Sequence, residues 1–128
     1  MTDKMRAVRL FAPGDLRCVE TDKPEIEKDN DVIVKVKACG VCGSDIIRVM
    51  EKGAYFHPIT IGHEFSGVVD STASKINQVK QGDRVTVMPL IPCGKCKYCR
   101  VGEFTVCDDY AYYGSRMDGA MAEYIRVS

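Results

Sequence analysis

A chain of 128 residues, 45% of them hydrophobic, is long enough to bury one core and too short for two ordinary domains. Eighteen lysines and arginines balance eighteen aspartates and glutamates, so no net field draws the chain to nucleic acid or to an anionic membrane surface. No apolar run reaches the length of a membrane span, and the charged start Thr2-Asp3-Lys4-Met5-Arg6 breaks any signal-peptide core, which predicts a cytoplasmic protein.

Alternating residues predict strands over 6–10, 16–21 and 31–38; in the last, Val32, Val34, Val36 and Ala38 share one face. Pro13-Gly14-Asp15 and Lys28-Asp29-Asn30 supply the turns between them. The glycine-rich Gly40-Val41-Cys42-Gly43-Ser44-Asp45 leads into a short helix over 46–51, with Ser44 or Asp45 as its cap, so Cys42 falls at a loop-to-helix junction. Further strands are expected at 64–69, 84–88 and 121–127, the second introduced by the turn Gln81-Gly82-Asp83. Six or so short strands with little helix predict a mainly β fold, a small and partly open barrel. Between the last two strands, 92–109 is rich in cysteine, glycine and lysine; it cannot bury a core of its own and needs a cross-link.

Seven cysteines in a chain without an export signal argue for metal binding rather than disulfides, because the cytosol keeps thiols reduced. Cys93, Cys96, Cys99 and Cys107 follow the spacing C-x2-C-x2-C-x7-C, which sets three thiolates on tight turns and returns a fourth across a short loop. That is the pattern of a closed tetrahedral zinc site. Four sulfur ligands leave no position for water, so the site is structural, and Lys95, Lys97 and Arg100 offset its negative charge. An iron–sulfur cluster of the bacterial ferredoxin type wants its fourth cysteine after three residues and before proline, whereas Cys107 follows after seven and precedes Asp108. A nucleic-acid zinc ribbon wants two C-x2-C knuckles and a basic face. One further cysteine goes to a second site, and Cys18 and Cys39 are left as buried thiols.

That second site is Cys42 with His63, a thiolate and an imidazole from separate segments, beside the carboxylates Asp45 and Glu64. Catalytic zinc takes three protein ligands plus water, while a carboxylate holds the far nitrogen of the histidine; Asp45 or Glu64 suits either job. On the residues alone, a structural histidine and a buried thiol remain the alternative.

The segments Gly40-Val41-Cys42-Gly43-Ser44-Asp45 and Gly62-His63-Glu64, followed by Gly82-Asp83-Arg84-Val85 and the four-cysteine lobe, resemble in order and spacing the zinc-dependent medium-chain alcohol and polyol dehydrogenases. The resemblance implies a GroES-like catalytic domain over 1–128, with 92–109 as its structural zinc lobe. It implies Cys42 and His63 as ligands of catalytic zinc, Glu64 as a carboxylate near that zinc and able to coordinate it, Ser44 as the hydroxyl of a proton relay, and Asp45 as the partner of His63. It further implies a homo-oligomeric, NAD-linked oxidoreductase in which a zinc-held substrate hydroxyl loses its proton through Ser44 and passes hydride to nicotinamide. The stretch 53–67, and Tyr113-Gly114-Ser115-Arg116 before Asp118-Gly119, resemble the branch of this family that oxidises sugar-alcohol phosphates. A sorbitol-type polyol is the near alternative substrate, and a non-catalytic, zinc-stapled binding domain is the reading from another class.

Dinucleotide binding needs G-x-G-x-x-G between a strand and a helix, and neither Gly40 with Gly43 nor Gly114 with Gly119 makes that spacing. No NAD site is therefore expected in this chain. In the polyol enzymes a further zinc ligand, a glutamate, falls just beyond the position of Ser128, so the chain is expected to be part of a longer enzyme and inactive alone. His57, among Tyr55 and Phe56, reads as an apolar-set histidine rather than a ligand. The guanidinium of Arg116 matches phosphate oxygens in a forked pair, but a solvated arginine is the favoured reading.

Overall fold

Nine strands alternate with short turns of helix in the computed structural model, which describes residues 3–128. In chain order they are β1 (Lys4–Ala12), β2 (Asp15–Asp22), β3 (Val32–Gly40), β4 (Ile59–Thr60), β5 (Glu64–Thr72), β6 (Arg84–Thr86), β7 (Leu90–Ile91), β8 (Ala111–Tyr112) and β9 (Tyr124–Val127). They pair into sheets of order β2-β1-β4, β6-β5-β3-β9 and β7-β8, all antiparallel. The stretch expected as one strand over 121–127 serves two sheets. Its first half joins β1, where the Val8 amide donates to Met121 O at 2.7 Å and the Glu123 amide to Arg6 O at 3.1 Å. Its second half is β9, paired with β3 from Val32 to Lys35. This shared segment curls the sheets toward one another without closing them, which gives the partly open barrel.

The core lies in the space so enclosed. Val32, Val34, Phe65, Val69, Tyr113, Ala120 and Ile125 form one buried cluster, and Leu10, Ile59 and Ile61 a second beneath β1. Each fully buried aliphatic side chain contributes roughly 1.5–3 kcal/mol relative to exposure. Tyr113 keeps its hydroxyl satisfied by accepting from the Ser128 amide at 3.2 Å, and its ring meets Phe65 edge-on.

Three differences from the sequence reading have plain causes. The helix α1 (Gly43–Ile47) starts three residues earlier than expected and continues as a π-helical turn, Arg48–Lys52. Its cap is neither Ser44 nor Asp45 but Cys42, because Asp45, as third residue, reaches back to accept the Cys42 amide at 3.0 Å. The strands β4, β7 and β8 have two residues each, too few for alternation to be visible. Cys18 is exposed rather than buried, since β2 is an edge strand with little covering it, while Cys39 is half-buried against Gly62. Among the described residues no helix is long and apolar enough to cross a membrane.

Candidate metal sites and active-site cleft

The hairpin of β7 and β8, with Leu90 opposite Tyr112 and Ile91 opposite Ala111, fixes both ends of the cysteine lobe. Inside it, two 3-10 turns, Cys99–Val101 and Phe104–Val106, carry the chain round so that the sulfurs of Cys93, Cys96, Cys99 and Cys107 all lie within 4.8 Å of one another. Zinc with Zn–S bonds of about 2.3 Å needs tetrahedral edges of about 3.8 Å. The Cys96 and Cys107 sulfurs are 4.0 Å apart, so the donor set fits.

Backbone amides point at these sulfurs. Cys93 N–H donates to Cys107 at 3.2 Å, Cys96 N–H to Cys93 at 3.4 Å and Cys99 N–H to Cys96 at 3.5 Å. Such donors favour thiolate over thiol. The amides of Asp108 and Cys99 bring the Cys96 thiol down to about 6, and those of Lys95 and Cys96 hold Cys93 below its usual value. Burial pushes Cys99 up to about 12. A cation entering the lobe meets thiols that the backbone amides have eased toward thiolate and must displace the proton of Cys99.

The second constellation is built by the β3–β5 ladder. Gly40, the last residue of β3, is opposite Glu64, the first of β5, so Cys42 and His63 emerge side by side from the same end of the sheet. Ligand atoms of Cys42, His63 and Glu64 lie within 4.8 Å of one another. Behind them, Asp45 is buried, its Oδ1 without a hydrogen bond of good geometry but 3.4 Å from His63 Nδ1. A proton on Nδ1 satisfies that oxygen and leaves Nε2 with its lone pair for a metal. The geometry thus separates two carboxylates that the residues alone left interchangeable, in the arrangement the resemblance implies: Asp45 stands behind the histidine, and Glu64 joins the candidate ligand cluster.

Two glycines make room. A Cβ on Gly40 would fall 2.8 Å from Glu64 Oε2. Gly62, at φ +97°, enters a conformation closed to other residues, and a Cβ there would lie 2.7 Å from both Cys39 Sγ and Met121 Cγ. Tyr112 packs edge-on against His63 at 5.5 Å between ring centroids, which ties the hairpin at the base of the lobe to this cluster. Burial, and after it the charges of Cys42, Glu64 and Asp45, raise the Tyr112 hydroxyl.

Ser44 and His63 face a common cleft of about 420 Å³, walled by Tyr55, Tyr110, Tyr112 and Arg48. A larger hollow, about 600 Å³, lies between β2 and the 116–126 stretch, but neither cysteine cluster lines it, so the smaller cleft is the candidate active site. Nothing in the sequence singled out the tyrosines. Arg48 was legible in principle, because it follows Ser44 by four residues and so shares its helix face. His57 does not have the expected apolar setting: it is exposed, with its Nε2 accepting the Ala54 amide at 3.2 Å. Arg116 is exposed but not free in solvent, for its guanidinium stacks on Tyr55 at 4.4 Å and on Tyr110 at 4.3 Å.

The profile of the alcohol dehydrogenase GroES-like domain matches residues 28–128. Galactitol 1-phosphate 5-dehydrogenase of Escherichia coli K12 is 42% identical over 123 residues, 96% of this chain and 36% of that protein. The crystal structure of galactitol-1-phosphate dehydrogenase from Escherichia coli superposes with a TM-score of 0.93 at 42% identity, covering 96% of this chain and 36% of the other. A short chain alcohol dehydrogenase from Escherichia coli CFT073, complexed with NADH, superposes at 0.89 with 35% identity, over 97% of this chain and 36% of the other. The chain therefore spans about 36% of the length of these relatives. With a profile that runs across both cysteine constellations and a barrel that agrees with it, the chain belongs to the alcohol dehydrogenase GroES-like domain family, among the zinc-type alcohol and polyol dehydrogenases.

Proposed function

We propose that this chain is the metal-holding catalytic domain of an NAD-linked polyol-phosphate dehydrogenase that oxidises galactitol 1-phosphate to tagatose 6-phosphate. The observation that carries the reading is the convergence of Cys42, His63 and Glu64 within 4.8 Å, with Asp45 behind the imidazole. When bound there, zinc supplies a Lewis acid that eases ionisation of a substrate hydroxyl, and the nicotinamide of a complete enzyme accepts the hydride.

The chain's own residues do the rest. Cys42 and His63 hold the metal, with Glu64 as a third donor, and Asp45 keeps the proton of His63 on Nδ1. Ser44, in the same cleft as His63, takes the substrate hydroxyl proton on Oγ and hands its own to solvent. The tyrosines narrow the cleft and leave less room for water around the reacting carbon. The cysteine lobe holds the second zinc and shapes the wall through Tyr112. The cytoplasm, which keeps thiols reduced, suits seven free cysteines.

The test is zinc analysis and NAD-dependent turnover of the complete protein, with and without Cys42→Ala. The substitution should remove one of two zinc equivalents and lower kcat/KM about a thousandfold, since a Lewis acid is worth several kcal/mol in the transition state. An unchanged zinc count would sink the catalytic-site assignment. Faster turnover of unphosphorylated sorbitol than of galactitol 1-phosphate would move the substrate to the sorbitol-type polyols.

A further inference from the structure

Arg48 opens the π-helical turn that follows α1, one turn of helix beyond Ser44, and its side chain lines the cleft with Ser44 and His63. Its Nε is buried and has no hydrogen-bond partner, and no carboxylate among the described residues pairs with it. None of the residues lining the cleft is acidic. Three other arginines have partners: Arg17 has Asp15, Arg6 has Glu123, and Arg9, whose Nε is also buried, donates from its other end to Pro58 O at 2.9 Å. A guanidinium drawn partly out of water without a counter-charge is costly, and an anion entering the cleft would remove that cost.

A second cation lies against the cleft's walls, although it lines the neighbouring larger hollow rather than the cleft itself. Arg116 stacks on Tyr55 and Tyr110, two walls of the same cleft. Stacking uses the face of the guanidinium and leaves in-plane N–H groups available beyond those engaged by the hydroxyls of Tyr110 and of Tyr55, the latter at 3.4 Å. A forked donor that shares the cleft with Ser44 and His63, with a second guanidinium stacked on two of its tyrosine walls, matches a ligand that has an anionic group and an alcohol.

We propose that Arg48, with Arg116 at the rim, is the subsite that takes the phosphate of a sugar-alcohol phosphate while its reacting hydroxyl lies toward His63. This rests on the dehydrogenase reading for the hydroxyl end, but the anion end is testable by itself. In the complete, zinc-loaded protein, calorimetric titration with inorganic phosphate is set beside kinetics on galactitol 1-phosphate and on galactitol. Arg48→Gln should weaken phosphate binding and raise KM for the phosphorylated substrate about ten- to hundredfold, the worth of a charge-assisted hydrogen bond, and the rise should exceed any change in KM for galactitol by at least about tenfold. Arg48→Lys, which keeps the charge and loses the fork, should recover part of the loss; Arg116→Gln should lose less, and the surface control Arg17→Gln nothing.

The subsite is wrong if Arg48→Gln still binds inorganic phosphate as tightly as wild type, as it would were the metal alone the anion site. It is equally wrong if both substrates suffer alike. Wild-type protein that oxidises galactitol as well as its phosphate removes the subsite and leaves the dehydrogenase standing. Arg48-dependent phosphate binding without turnover of either substrate removes the dehydrogenase and leaves the subsite.

Discussion

Asp45→Asn is the sharpest probe of how the second metal cluster is held, because it changes one charge and no shape. Asp45 is buried and works with both oxygens: Oδ2 accepts the Cys42 amide at 3.0 Å, and Oδ1 faces His63 Nδ1 at 3.4 Å. Asparagine has one oxygen to offer. If its carbonyl keeps the Cys42 amide, its NH2 faces Nδ1, which can accept only by moving the histidine proton to Nε2, the nitrogen needed for a metal. If the amide turns over, His63 is served but two donors meet at Cys42 N, and the cap of α1 is lost at about 1 kcal/mol. Neither orientation serves both neighbours, so zinc at the Cys42–His63 site should lose about ten- to hundredfold in affinity, roughly 1.4–2.7 kcal/mol. Competition against a chromophoric chelator reads this directly, with the four-cysteine site as an internal standard that should not move. Two unchanged zinc affinities, with the His63 proton still on Nδ1 by nitrogen NMR, would refute the reasoning.

The other expectations are of different kinds. Cys107→Ser should cost one zinc equivalent and loosen the lobe alone, seen as proteolytic cleavage confined to 92–109; a protected lobe would mean that packing rather than metal holds it. Gly62→Ala must accommodate both φ +97° and a Cβ 2.7 Å from Cys39 Sγ, so it should destabilise by about 2–4 kcal/mol in urea unfolding and weaken the His63 site; a loss under 1 kcal/mol would contradict the packing described. Burial works to raise Asp31, but the Ser128 hydroxyl, the Glu27 and Lys28 amides and the Arg126 charge together hold it below its usual value. A carboxyl lowered on folding contributes stability above the unfolded value of about 3.9, which is lost as pH falls through the folded one. Urea midpoints should therefore drop below about pH 4, and Asp31→Asn should flatten that drop; an equally steep drop in the variant would assign it to other carboxyls.

What the sequence revealed and what it hid divide along one physical line, the separation in chain between interacting groups. The cysteine cluster able to take a metal was legible, because its four sulfurs fall within 92–109 and their spacing is itself the geometry. The long strands β1, β2, β3 and β5 were legible from alternation, and the mainly β, partly open barrel followed from them. The cap of α1 was misplaced by two or three residues because Asp45 acts on the residue three before it, a detail of φ and ψ rather than of composition. Cys18 was misjudged because cysteine is usually buried, and only the sheet order reveals β2 as an edge. Arg48 and Tyr55 come from one stretch and Tyr110 and Tyr112 from another far along the chain, and the two meet only when the barrel curls.

The same line separates how the two metal clusters depend on the fold. The cysteine lobe needs only the two-residue strands β7 and β8 to bring its ends together, so a bound metal can organise it locally. Cys42 and His63 are brought together by the β3–β5 register, and that ladder is irregular: Val36 is opposite Gly67 but Ala38 is opposite Ser66, which leaves Lys37 as an extra residue just before the site. Such a bulge bends and twists its strand, and here it aims the last residues of β3, and with them Cys42, toward the start of β5. Side chains alternate on a strand, so a slip of one residue would present Glu64 to the wrong face. Gly67 makes the slip costly, because its backbone passes so near β3 that a Cβ there would lie 2.3 Å from Lys35 O, and any neighbouring residue of β5 moved into its place carries that Cβ. The Cys42–His63–Glu64 cluster is thus held by register, by a bulge and by a glycine, none of which supplies a candidate ligand.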